Sequence, residues 1–207
     1  MQPGFALALL AAVCYLASVT LFIGLHLRPS GYSLLRSAVS DYGVGPTRRA
    51  FTLYISVGSA GALALAAALW LSGTPPVPGW LLLVLVAMVV ARTGVSLVPT
   101  DLEGQRLTAR GALHYLFATL NFAAAYVFLR NATPTLAGAP GWEAARPVLL
   151  ALAWAALPAL VANCATLAGP LRRVFGLFER LFILVVALWF LAASGALAFA
   201  LLPASLV

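Results

Sequence analysis

The sequence predicts an all-α polytopic membrane protein: one bundle of six transmembrane helices with both termini on the extracytoplasmic side. Three observations carry this. First, 63% of the 207 residues are hydrophobic and only 8% are charged, whereas an ordinary soluble domain is about 25% charged. Such a chain lacks the polar surface to coat a globule in water. Second, six stretches, approximately 5–26, 50–72, 79–98, 111–129, 147–168 and 180–202, are apolar over about the 20 residues that a hydrocarbon core of roughly 30 Å takes per helical span. Third, the arginines alternate with the loops. Arg28, Arg36, Arg48 and Arg49, then Arg106 and Arg110, then Arg172, Arg173 and Arg180 put nine on one side. Only Arg130 and Arg146 lie on the other, and the positive-inside rule makes the richer side cytoplasmic.

The runs are apolar all round rather than alternating, which excludes lipid-facing strands of a barrel. They nearly fill residues 1–207, so a single domain is expected. The protein is placed in the cell membrane as a multi-pass protein. The net charge of +7 lies in short loops between spans, so it is explained by topology and not by nucleic acid.

Helix 1 begins at Phe5 within "MQPGFALALL", which lacks a basic leader region, and reads as a retained span. It carries Cys14 and ends at His26. The connection after it contains "YSLLRSAVSDYG", Tyr32 to Gly43, with Leu34, Leu35, Ala38 and Val39 as the apolar stripe of a short interfacial helix. Helix 2 presents Gly58, Ala62 and Ala66 on one face, a small-residue stripe suited to close packing and to a homo-oligomer. "SGTPPVPG", Ser72 to Gly79, turns the chain into helix 3, and Trp80 and Trp142 fall where an aromatic belt belongs.

Helix 3 carries Arg92, with Ser96 and Pro99 on the same face. A central arginine costs about 2.5–3.5 kcal/mol on insertion scales. Arg92 therefore either snorkels to the headgroups or turns inward toward a carboxylate. In "VPTDLEGQRLTARGALH", Val98 to His114, Thr100 with Glu103 matches a capping box and Thr108 is placed to cap helix 4. His114 and Asn121 are seven apart, hence on one face. Asn121 suits either a helix–helix hydrogen bond or a ligand. Helix 5 adds Asn163 and Thr166 near its cytoplasmic end.

His26, Asp41, Arg92, Asp101, Glu103, His114 and Asn163 all map to the cytoplasmic half. This predicts a polar pocket near that leaflet. Asp41, Asp101 and His114 are its candidate catalytic residues. Ser40, Arg92, Asn121, Asn163 and His26 are its candidate ligand-binding residues. No metal site is expected, since Cys14 and Cys164 lack ligand spacing. No cofactor is expected either. The chain has no lysine for a Schiff base, and its two histidines sit at the membrane edge and not facing each other within the helices as bis-histidine haem ligands do.

The segments "VSDYG" (Val39 to Gly43), "VPTD" (Val98 to Asp101) and "GALH" (Gly111 to His114) resemble the pattern of domain-of-unknown-function family 998, multi-spanning membrane proteins of bacteria and archaea. The resemblance covers almost the whole chain. It implies that Ser40, Asp41, Pro99, Asp101 and His114 match the family's recurring polar positions, and it implies no reaction.

Three functions fit. The first is a protein that binds or processes a lipid headgroup or other anionic ligand, with Arg92 holding phosphate and His114 acting as base beside Asp41 or Asp101. Whether it is an enzyme stays open. The second is a small proton-linked transporter or channel, and the third a non-catalytic scaffold or lipid sensor. Membrane lipids are the expected partners.

Overall fold

A computed structural model describes residues 2–102 and 105–202 of the chain. Six helices are long and apolar enough to cross a membrane: α1 (Pro3–Leu27), α2 (Arg48–Ser72), α3 (Gly79–Leu97), α4 (Ala109–Gly138), α5 (Arg146–Ala165) and α6 (Phe175–Ala200). Short 3₁₀ segments occupy Val39–Gly43, Gly45–Thr47 and Gly169–Val174, and no strand occurs among the described residues. This is the helical solution that lipid demands, since each backbone group then finds its partner within its own segment.

The helices close into a ring in chain order, with α1 packed between α2 and α6. Gly4 lies against Ser72 and Leu201. The start of α1 thus stands beside the ends of α2 and α6, as an up-and-down bundle requires. The α1–α2, α3–α4 and α5–α6 connections share one end, called here the arginine-rich end. The other is the terminal end. At the latter, α2 stops because Gly73 adopts φ +61° and returns its N–H to the Leu69 carbonyl at 3.2 Å, a left-handed cap that favours glycine.

The terminal half holds the main core. Phe190 of α6 stacks on Tyr15 of α1 at 5.0 Å and on Phe128 of α4 at 5.6 Å. The Trp189 indole N–H donates to the Thr133 hydroxyl at 3.0 Å, and that hydroxyl donates to the Leu129 carbonyl at 2.6 Å. The small-residue stripe of α2 also lies inside: Gly58, Ala62 and Ala66 are all buried within the chain. Close packing is their observed use, within the chain.

Four local expectations change. Helix α4 runs to Gly138, straight through Pro134, instead of ending near residue 129. Pro134 removes only the backbone donor that would reach the Arg130 carbonyl, and the helix continues past it to Gly138. Thirty residues at about 1.5 Å each span roughly 45 Å, so this helix outruns the hydrocarbon core. Trp142 is 2% exposed and belongs to the core, whereas Trp80 is open as a belt residue should be. The segment 32–43 forms a turn and a 3₁₀ helix in place of an interfacial helix, because Val39 and Tyr42 are inserted into the bundle. Finally, α6 begins at Phe175 and not near 180, which brings Glu179 and Arg180 inside the helix and into the protein.

Candidate functional site

A cavity lies in the arginine-rich half, between the main core and a smaller cluster of Phe22, Leu25, Val39, Tyr42, Phe51, Tyr54, Ile55 and Val95. Its walls are mostly aromatic and aliphatic. Its polar lining comes from Arg92 of α3, Asn121 of α4, Glu179 of α6, Tyr15 of α1, Tyr54 of α2 and Ser40 of the first connection. The space open to the centres of water-sized molecules is about 60 Å³. One water needs roughly 10–15 Å³ on that measure. The cavity thus takes a few small polar groups or a slim chain.

Its walls differ in accessibility. The lining residues of α1 and α2 are fully buried, while Ala118, Asn121 and Phe122 of α4 and Ile183, Val186 and Ala187 of α6 are half-buried. Arg92 of α3 and Ser40 of the first connection are half-buried as well, so the α3, α4 and α6 walls are the less covered ones. The inward face of α4 changes along its length for the same reason. Ala125, Phe128, Leu129, Ala132 and Leu136 are buried against the core, but Ala118, Asn121 and Phe122 have the cavity behind them.

Arg92 turns inward. Its guanidinium carbon stands 5.0 Å from the centroid of the Tyr54 ring, a cation–π arrangement. Gly58 makes this possible, since a Cβ there would meet Nη2 at 2.6 Å and Cζ at 2.9 Å. The guanidinium approaches α2 this closely only because that helix has no side chain at this point. Its Nε is buried without a hydrogen-bond partner, a costly state for a charged group unless something completes it.

Glu179 and Arg180 are the residues that sequence reasoning missed. Glu179 is 7% exposed, and its Oε2 accepts the Val39 N–H at 2.6 Å. Arg180 donates through Nη1 to the Ser37 carbonyl at 2.7 Å and the Gly176 carbonyl at 2.8 Å, and lies 5.9 Å from the Tyr42 ring. Together they staple the first connection onto α6. Gly176 allows the close approach, because a Cβ there would collide with the Ser37 carbonyl oxygen. The signal was present in "FGLFERLFILVV": Phe182, Ile183 and Val186 lie three, four and seven residues after Glu179, on its own helical face.

Of the sequence candidates, Ser40, Arg92 and Asn121 line the cavity. Asp41 does not. It is buried beside the cavity in the 3₁₀ turn, where burial and its carboxylate push the Tyr32 phenol above its ordinary value. His26 lies at the end of α1, 5.1 Å from the Tyr42 ring, with Nδ1 2.6 Å from the Phe22 carbonyl. Asn163 is buried on α5 with Oδ1 unpartnered and does not line the cavity.

Asp101 and His114 are also not part of the lining. They form a separate clamp between α3 and α4. Asp101 accepts from the Thr108 N–H at 2.7 Å and from the Thr108 hydroxyl at 3.0 Å. Thr108 in turn caps α4 by accepting the Gly111 N–H at 3.1 Å, as the sequence led one to expect. The Asp101 carboxylate sits where a Cβ on residue 111 would be, which explains the glycine of "GALH". His114 Nδ1 is 2.6 Å from the Val98 carbonyl. A carbonyl only accepts, so Nδ1 carries the hydrogen there. Glu103, the other half of the expected capping box, lies outside the described residues. Among the described residues, no three His, Cys, Asp or Glu side chains gather as a metal site.

Six apolar helices of spanning length define a multi-pass helical membrane protein. Its family is equally plain. The chain matches the family model for DUF998, a protein of unknown function, over residues 8–204, and belongs to that family. No curated protein and no solved structure matches it.

Proposed function

We propose that this DUF998 protein binds an amphiphile from the bilayer, taking its polar head into the cavity between α4 and α6. The observation that carries this is Arg92: an inward guanidinium with an unpartnered Nε, set in a mostly apolar cavity whose α4 and α6 walls are only half-buried. An anionic group arriving there supplies the charge-assisted hydrogen bonds that the protein leaves unmade. Asn121 offers an amide to the same head, and Phe122, Phe182 and Val186 offer an apolar track for a tail. The arginine bias argues for the cytoplasmic leaflet of the cell membrane as the source.

The alternatives draw less support. Beyond the cavity the terminal half is filled by Leu, Ala, Phe and Trp side chains, which weighs against a path through the bundle. His114, the expected base, has one ring nitrogen committed to Val98 and stands apart from Arg92's cavity.

The test is native mass spectrometry of protein purified in mild detergent. The wild type is expected to retain an amphiphile, and Arg92→Gln to lose it. Asn163→Ala should retain it. Equal retention by wild type and Arg92→Gln overturns the reading.

A further inference from the structure

We infer that the ligand is zwitterionic: its anionic group meets Arg92 and a primary ammonium group meets Glu179. This rests on the amphiphile-binding reading and names the chemistry of the head.

The cavity contains one guanidinium and one carboxylate, carried by α3 and α6. These helices are not neighbours in the ring; α1 and α2 separate them on one side, α4 and α5 on the other. The two charges thus stand on different walls. Among the described residues no ion pair joins them: Arg92 rests on the Tyr54 ring, and Glu179 accepts from Val39. Opposite charges in a low-dielectric space attract strongly, so two that are held apart ask for something between them.

The lining carries one charge of each sign, and behind it Arg180 and Asp41, which both act on Glu179, offset one another. A purely anionic head would satisfy Arg92 and leave a buried carboxylate facing an anion. A cationic head would do the reverse. A zwitterion serves both walls at once. The Val39 N–H occupies one oxygen of Glu179, leaving the other as an acceptor. A primary ammonium has three donors to offer it, whereas a quaternary ammonium has none. The primary group is also the smaller, which suits a cavity of about 60 Å³.

The shared chemistry is an aminoalkyl phosphate, whether borne by a lipid or free. The experiment measures binding of matched-chain phosphatidylethanolamine, phosphatidylcholine and phosphatidylglycerol to the full chain in nanodiscs by native mass spectrometry. Free phosphoethanolamine serves as a competitor. Phosphatidylethanolamine is expected to bind about tenfold tighter than either of the others, the scale of one charged hydrogen bond. Glu179→Gln should abolish that preference, with phosphatidylglycerol still held through Arg92. The glutamine carbonyl can still accept the Val39 N–H, so the fold has its staple. The wild-type preference is a second readout that needs no variant. Competition by free phosphoethanolamine supports the zwitterion and points to a soluble source. Equal affinity for ethanolamine and glycerol heads in the wild type overturns this inference but leaves amphiphile binding standing. Binding of none of the three, with Arg92→Gln unchanged, overturns both.

Discussion

The two halves of this bundle solve different problems with the same six helices. In the terminal half, Trp189, Phe190, Phe128 and Tyr15 interlock, and the polar atoms of Trp189 and Thr133 satisfy one another. In the arginine-rich half, the helices surround space, and Arg92 and Glu179 face it without pairing. The first half is close-packed around these rings, and its one further hollow lies at the terminal surface beside Trp142 and Leu201. The second has unmade interactions around a cavity. Stability and binding are thus expected to separate along the membrane normal.

Substitutions can break that separation. The largest effect on stability is expected from Trp189→Ala, which empties a fully buried site and removes the indole donor to the Thr133 hydroxyl. A loss of about 3–5 kcal/mol is typical of such truncations, measurable by unfolding in detergent. Next comes Gly58→Ala. Its Cβ would press on the Arg92 guanidinium at 2.6 Å and on Ser18 Oγ at 2.9 Å, so an overpacking cost of about 1–3 kcal/mol is expected. This variant should also lose its amphiphile, because the guanidinium must move. A Gly58→Ala protein with wild-type retention would show that the observed seat of Arg92 is not the binding one.

Thr108→Ala removes the α4 cap and a partner of Asp101. About 1 kcal/mol is the usual cost, and amphiphile retention should be unaltered because the clamp lies outside the cavity. A matching loss of binding would tie the clamp to the site. The smallest stability effect is expected from Arg92→Leu. Replacing a half-buried, incompletely hydrogen-bonded charge by an apolar side chain is often neutral or stabilising, so the melting temperature should hold or rise while retention falls. A large destabilisation would instead make Arg92 a structural residue and remove the distinction between the halves.

Much of the architecture was legible in the chain. Six long apolar helices follow from hydropathy and length, because lipid leaves few alternatives. The "VSDYG", "VPTD" and "GALH" segments also marked the family. The site was legible only in part. Arg92 and Asn121 stood out because polar groups are expensive in a span. Glu179 was hidden because the sixth span appeared to begin after it, and its helix in fact starts earlier. Asp101 and His114 attracted notice as charged residues near a membrane edge, yet their hydrogen bonds go to Thr108 and Val98. A residue's type reveals that it needs a partner, and only packing reveals which.

The sequence by itself determined that the chain has six segments long and apolar enough to cross a membrane and most of its arginines in the connections at one end. Those properties are sums over many residues, insensitive to any single contact. Only the tertiary structure decided that Arg92 and Glu179 line one cavity, that Asp101 and His114 form a clamp instead, and that Gly58 and Gly111 are spaces reserved for neighbouring charged groups. These depend on which helix faces which, and on distances of a few ångströms between residues far apart in the chain.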